Sequence, residues 1–158
     1  MKTLIAYYSG AGSTARVAGL LKTALNADIY EIKTLDPKKR RGPANFFWAI
    51  SISMKKKKPA LVPFTLDIKK YDLIILGTPV WAGGPSVILT AFLDQVKITG
   101  KKIALYCCHA GGPGETINRL KAQLAGNTII GEIDFTKAGK ANPDELKKKA
   151  EDWVKTLH

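Results

Sequence analysis

Apolar residues along this chain alternate between short unbroken runs and stripes at helical spacing. Thr3 to Tyr8 is an apolar run with nothing charged in it and predicts a first strand. Six small or hydroxyl residues follow, Ser9 to Thr14. Val17, Leu20, Leu21 and Leu25 then fall at i, i+3, i+4 and i+8, which predicts an amphipathic helix. Ala27 to Lys33 mixes Ile29, Tyr30 and Ile32 with Asp28, Glu31 and Lys33, the pattern of an edge strand. Asp72 to Thr78 is a continuous apolar run of the kind buried centrally in a parallel sheet. Beyond Pro79-Val80-Trp81-Ala82-Gly83-Gly84-Pro85, the fourfold spacing of Ile88, Phe92 and Val96 predicts a helix. Ile103 to Cys108 reads as a further buried strand, and a helix carrying Ile117, Leu120 and Leu124 follows it. Thr128 to Phe135 puts Ile129, Gly131, Ile133 and Phe135 on one face and Glu132 and Asp134 on the other, a second edge strand. Asn142 as cap, Pro143 in the first turn and Glu145 at the third position start a last helix with a core stripe of Leu146, Ala150, Trp153 and Leu157.

The stretch from Leu35 to Thr65 is of another kind. Lys38-Lys39-Arg40-Arg41 precedes Gly42-Pro43, then come Phe46-Phe47-Trp48, and Lys55 to Lys58 close the segment. Phe47, Ile50 and Met54 have helical spacing and predict a helix over about Pro43 to Lys55. Trp48 and Ile52 would lie on its other side. A helix apolar on more than one face needs cover beyond the domain's own sheet.

Five strands alternating with five helices, with no repeat and no linker, predict one α/β domain over residues 1–158, a parallel sheet with helices on both faces. Ligands of such sheets bind beyond the carboxyl ends of the strands, where the winding direction reverses. Three strands here run into glycine-rich loops, after Tyr8, after Thr78 and after Cys108. One site fed by three central strands is the economical expectation.

Composition narrows this picture at a few points. No apolar run approaches the ~20 residues of a membrane span. Cys107 and Cys108 are adjacent and lack metal-ligand spacing, so the chain reads as cytoplasmic, without a disulfide framework or metal. Lys and Arg total 25 against 13 acidic residues, a net charge of +12. That balance favours anionic partners, whether nucleic acid, acidic membrane surface or acidic protein, although lysines on helix faces also simply keep a domain soluble.

The first turn admits three readings. A strand turning tightly into a helix aims free N–H groups and the positive end of the helix dipole at one point, a ready phosphate site. Gly10, Gly12 and Ala15 satisfy the G-x-G-x-x-G/A dinucleotide fingerprint, with Glu31 roughly placed for a ribose. The hydroxyls of Ser9, Ser13 and Thr14 instead suit the three oxygens of a terminal phosphate monoester, as on FMN. A purely structural turn is the third. A nucleoside-triphosphate loop is excluded, because no G-x-x-x-x-G-K-[ST] occurs.

The order and spacing of the three loops resemble the short-chain flavodoxins and flavodoxin-like FMN proteins over essentially the full length. Ser9-Gly10-Ala11-Gly12-Ser13-Thr14 corresponds to the loop that grips the FMN phosphate in that family. Ala11 and Ser13 depart from its usual pattern of a hydroxyl third and an asparagine fifth. Pro79, Val80, Trp81, Ala82 and Gly83, within Gly-Thr-Pro-Val-Trp-Ala-Gly, closely resemble the second loop. Cys108, His109, Ala110, Gly111, Gly112 and Gly114 resemble the third, where the family often shows Ser or Thr in place of His109 and Ala110. The resemblance implies a flavodoxin-like three-layer sandwich with strand order 2-1-3-4-5 and one FMN. Trp81 would lie flat against the isoalloxazine, and the glycines would let amides approach its polar edge. His109 would sit by the pyrimidine edge, where a donor favours the reduced flavin. Cys108 reads as buried packing in preference to a redox thiol.

Family likeness leaves the activity open. Electron transfer ranks first, NAD(P)H-dependent reduction of quinone or free flavin second, and a basic docking module for nucleic acid or acidic surfaces last. The lysine runs lack the interleaved aromatics of a base-stacking groove, which argues against nucleic acid. An acidic redox partner steered by the lysines, and a homodimer through the 43–55 helix, complete the expectations.

Overall fold

The computed structural model describes residues 1–35, 43–54 and 59–158. Strand β1 (Thr3–Tyr7) is buried along its whole length. It feeds helix α1 (Ser13–Leu25), which buries Thr14, Val17, Ala18 and Leu21 and ends at Asn26 in a left-handed conformation. β2 (Asp28–Glu31) is shorter than its mixed sequence predicts, although Ile32 just beyond it is buried. Helix α2 (Pro43–Met54) follows. The lysine and arginine runs at 38–41 and 55–58 lie outside the described residues.

β3 (Leu73–Trp81) extends past the expected Thr78 because its last residues pair with the two-residue β4 (Gly84–Pro85) in antiparallel fashion. Helix α3 (Val87–Val96) starts at Ser86, whose Oγ accepts the Ile88 amide at 3.1 Å. β5 (Lys102–His109), α4 (Thr116–Gln123) and β6 (Thr128–Thr136) complete the sheet. The last helix, α5 (Pro143–Val154), has the predicted start, with Asn142 Oδ1 accepting the Asp144 and Glu145 amides at 3.0 and 3.2 Å.

The parallel order is β2-β1-β3-β5-β6, which is 2-1-3-4-5 when the long strands alone are counted. Two cores flank it. On one face Leu4, Ile74, Leu76 and Leu105 pack with Ile88 and Phe92 of α3 and Leu120 of α4. On the other, Ile5, Ile75, Ala104 and Phe135 pack with Val17 and Leu21 of α1 and Leu146 and Trp153 of α5. The winding reverses between β1 and β3, which sets the crevice for a ligand at the carboxyl ends of those two strands.

One expectation about faces changes, and one open choice is settled. β6 carries a bulge: Ile103 pairs with Ile129, but Ala104 pairs with Gly131. The inserted residue moves Ile129 to the α3/α4 core while Ile130, Ile133 and Phe135 join the other. In α2, Trp48 and Ile52 face the core, Ala49 is buried and Phe47 is 67% exposed. Of the two apolar stripes the sequence offers, the one through Trp48 and Ile52 is packed and Phe47 stays outside.

Candidate functional site

The turn between β1 and α1 is drawn together by one hydroxyl. Ser9 Oγ accepts the amides of Gly12 and Ala15 at 3.2 and 3.1 Å. Gly12, at φ 101°, takes a backbone that a side chain would strain, and α1 opens from it without a side-chain cap. Among the described residues no acceptor is taken by the Ser13 and Thr14 amides. They remain as donors at the positive end of the helix.

This turn is tied to the sheet from beneath. The buried Tyr106 ring passes under Gly77 of the neighbouring strand, where any Cβ would overlap it. Its hydroxyl then donates to the Thr14 carbonyl at 3.0 Å. Burial drives the Tyr106 hydroxyl well above its ordinary pKa, so it stays a donor. Cys107 and Cys108 follow on the same strand, both buried, and Cys108 shares the core of Tyr106. Burial pushes both thiols up to about 12; the charge of Asp134 adds to the effect at Cys107, and the contact with Thr14 opposes it at Cys108. Neutral thiols of this kind are packing groups, not nucleophiles.

The second loop is a tight hairpin. Ala82 and Gly83 both have positive φ, 49° and 74°, between the pairs Trp81–Gly84 and Val80–Pro85. Two positive-φ central residues define the turn whose twist suits adjoining strands. Thr78 Oγ1 accepts the Ser86 amide at 3.0 Å and donates to the Pro79 carbonyl at 2.8 Å, closing the base of the hairpin. At its tip Trp81 meets Tyr8 edge-on at 5.4 Å between ring centroids and meets Trp48 of α2 edge-on at 5.8 Å. Three elements thus bring three aromatic rings to the switch point. The sequence reading had weighed Trp81 and Trp48 but not Tyr8.

The third loop is clamped on both sides. The Gly83 carbonyl accepts the Glu115 amide at 2.8 Å, which joins it to the hairpin. His109, its side chain 6% exposed, accepts the Gly112 amide at Nδ1 (3.0 Å). An N–H donor at Nδ1 leaves the ring proton on Nε2, which donates to Asp134 Oδ2 on β6 at 2.6 Å. Both ring nitrogens are used within the protein. His109 thus shapes the loop, where the sequence suggested a donor for a ligand.

A cleft of about 580 Å³ lies where these parts meet. Gly10, Ala11, Ser13, Thr14, Pro79, Cys108, His109 and Ala110 line it, so the structure gathers members of all three loops. Ser9 and Gly12 shape the first loop from behind. Val80, Trp81, Ala82, Gly83, Gly111, Gly112 and Gly114 stand outside the lining, in the hairpin and the far part of the third loop. Lys137, Gly139 and Lys140 form a wall that sequence reasoning missed. Their signal was positional: the loop after β6 also leaves a carboxyl end of the sheet.

A doubly wound parallel sheet with an uncapped helix start, an aromatic hairpin and a clamped glycine loop around its switch point defines a flavodoxin-like α/β protein. The family model for flavodoxin matches residues 2–157, and the chain belongs to that family. Its fold is similar to that of a flavoprotein from Lactobacillus acidophilus solved in complex with FMN, at 24% identity and TM-score 0.74, over 97% of this chain and 98% of that one. It is also similar to flavodoxin 2 of Bacillus cereus, at 20% identity and TM-score 0.63, over 99% and 97% of the two chains. A WrbA-like flavodoxin from Agrobacterium tumefaciens gives 18% and 0.60, over 99% and 94%. Among the described residues no helix is long and apolar enough to cross a membrane.

Proposed function

We propose that this chain is an FMN-binding electron-transfer protein whose flavin lies across the loops after β1, β3 and β5. The carrying observation is the cleft at the β1/β3 switch point, where the free Ser13 and Thr14 amides meet Pro79 of β3 and Cys108 and His109 at the end of β5, while the aromatic hairpin stands outside its lining. The residues fit that cofactor. An uncapped helix start with hydroxyls suits a phosphate monoester, and Trp81 and Tyr8 offer flat apolar surface beside it.

Bound FMN supplies the one- and two-electron chemistry. The chain's own residues do the rest. Ser13 and Thr14 would hold the phosphate by amide and hydroxyl, and Tyr106 fixes the Thr14 backbone from below. Trp48, from α2, backs Trp81 and would help keep water from a flavin ring held there. The His109 clamp holds the Gly112 backbone in place, and the loop amides it orders would be donors for the flavin's polar side. The +12 charge suits an acidic protein as redox partner, so transfer to an acidic ferredoxin-like protein should slow as salt rises.

The same basic balance sustains a second assignment, an NAD(P)H-dependent reductase of quinone or free flavin, since electron-carrying flavodoxins are typically acidic. Anaerobic stopped-flow mixing of the FMN-loaded protein with NADPH and NADH separates the two. Electron transfer predicts slow or no flavin reduction. Rapid reduction with turnover on a quinone establishes the reductase instead.

A further inference from the structure

We propose that Lys137 and Lys140, on the loop between β6 and α5, form a cationic wall of the cleft and bind the phosphate of the flavin nucleotide together with the β1–α1 turn. This rests on the FMN assignment above and adds residues from a fourth loop to it.

The backbone of that loop is fastened to the site on three sides. The Lys137 amide donates to the His109 carbonyl at 2.7 Å, tying the loop to the end of β5. Arg16, in the first turns of α1, donates through Nη1 to the Ala138 and Ala141 carbonyls at 2.7 and 3.2 Å. Gly139 abuts the first loop so closely that a Cβ there would lie 2.8 Å from Ser13 Oγ. The guanidinium is thereby spent on the loop's backbone. Both lysine side chains stay exposed and line the same cleft as Ser13 and Thr14.

Neither lysine has an ion-pair partner among the described residues. Some lysines elsewhere on the surface are paired, such as Lys121 with Glu132 and Lys148 with Asp152, so it is their place at the cleft that sets Lys137 and Lys140 apart. Lys137 also holds a left-handed backbone, φ 49°, which glycine or asparagine adopts more readily. A strained position keeps a long cationic side chain at the mouth of a phosphate-type turn. The turn itself offers amides and hydroxyls but no charge, and a phosphate monoester is a dianion near neutral pH. Two ammonium groups supply the missing countercharge, and lysine binds phosphate as a point charge.

The test compares FMN with riboflavin, which has the same ring and no phosphate. The variant is Lys137→Asn with Lys140→Gln, since asparagine tolerates the left-handed backbone. The proposal predicts FMN binding weakened about ten- to a hundredfold at low salt, riboflavin binding unchanged, and a flatter dependence of FMN affinity on salt than in wild type. Lys140→Gln alone, away from the left-handed position, is read the same way if the double variant fails to fold, and Lys140→Arg should retain affinity. Equal loss for both ligands, or wild-type FMN affinity with wild-type salt dependence, overturns the lysine assignment while leaving the FMN site standing. A wild type that binds no FMN overturns both.

Discussion

The hydroxyl of Tyr106 reaches across the sheet beneath Gly77 to the carbonyl of Thr14, 3.0 Å away and 92 positions earlier in the chain. A central strand thus holds the phosphate-type turn by one buried hydrogen bond. Tyr106→Phe should cost about 1–2 kcal/mol in denaturant unfolding, since a donor is removed from a buried pair. Gly77→Ala should cost about 1–3 kcal/mol or more, because its Cβ would overlap the ring. If both variants unfold at the wild-type denaturant midpoint, the packing beneath the turn is not as described.

His109→Ala removes the acceptor of the Gly112 amide and the partner of Asp134. The third loop faces the flavin ring in the proposed site, so FMN and riboflavin should weaken by a similar factor, about tenfold. This contrasts with the phosphate-selective loss expected for the lysines. Native-state exchange of the Gly112 amide should accelerate as well. Loss confined to FMN would place His109 at the phosphate instead.

The two cysteines give a stability change with a defined sign. Their folded pKa values, about 12, stand above the ordinary thiol value of 9.0. The unfolded chain therefore ionises first. The stability contributed by the neutral thiols is complete below pH 9 and is lost as pH rises toward 12, at roughly 1.4 kcal/mol per pH unit and thiol. Replacing both with alanine should flatten the alkaline limb of stability against pH. A limb unchanged by the replacement would contradict their burial.

Trp81 and Trp48 make an optical prediction. An indole against the isoalloxazine quenches its emission, so FMN should lose most of its fluorescence on binding. Trp81→Ala should restore the emission, and Trp48→Ser, which removes the ring backing Trp81, should weaken binding. A bright wild-type complex would remove Trp81 from the flavin.

Much of this was legible in the sequence because local pattern and local function coincide. Unbroken apolar runs marked the central strands, and Asn142-Pro143 marked the start of α5. The first loop's hydroxyls lie within one turn of the residues they serve. What escaped depends on pairing. The bulge in β6, which takes Ile129 off the face of Ile133 and Phe135, appears only in the register with β5. Nothing in Ala82-Gly83 announces a hairpin, since alanine seldom takes a positive φ. The partnership of His109 with Asp134 and the arrival of Lys137 and Lys140 at the cleft exist only once β6 lies beside β5. In α2 spacing alone offers two apolar stripes, and only the packing shows that the one through Trp48 and Ile52 meets the core.

The FMN site is tested most directly by titrating the flavin-free protein with FMN, FAD and riboflavin, followed by visible absorption and flavin fluorescence. Such a site predicts one FMN per chain with shifted flavin bands and quenched emission, riboflavin bound more weakly, and FAD not held. Ser13→Ala with Thr14→Ala should weaken FMN more than riboflavin. Unperturbed FMN bands, or equal affinity for FMN and riboflavin in the wild type, would contradict it.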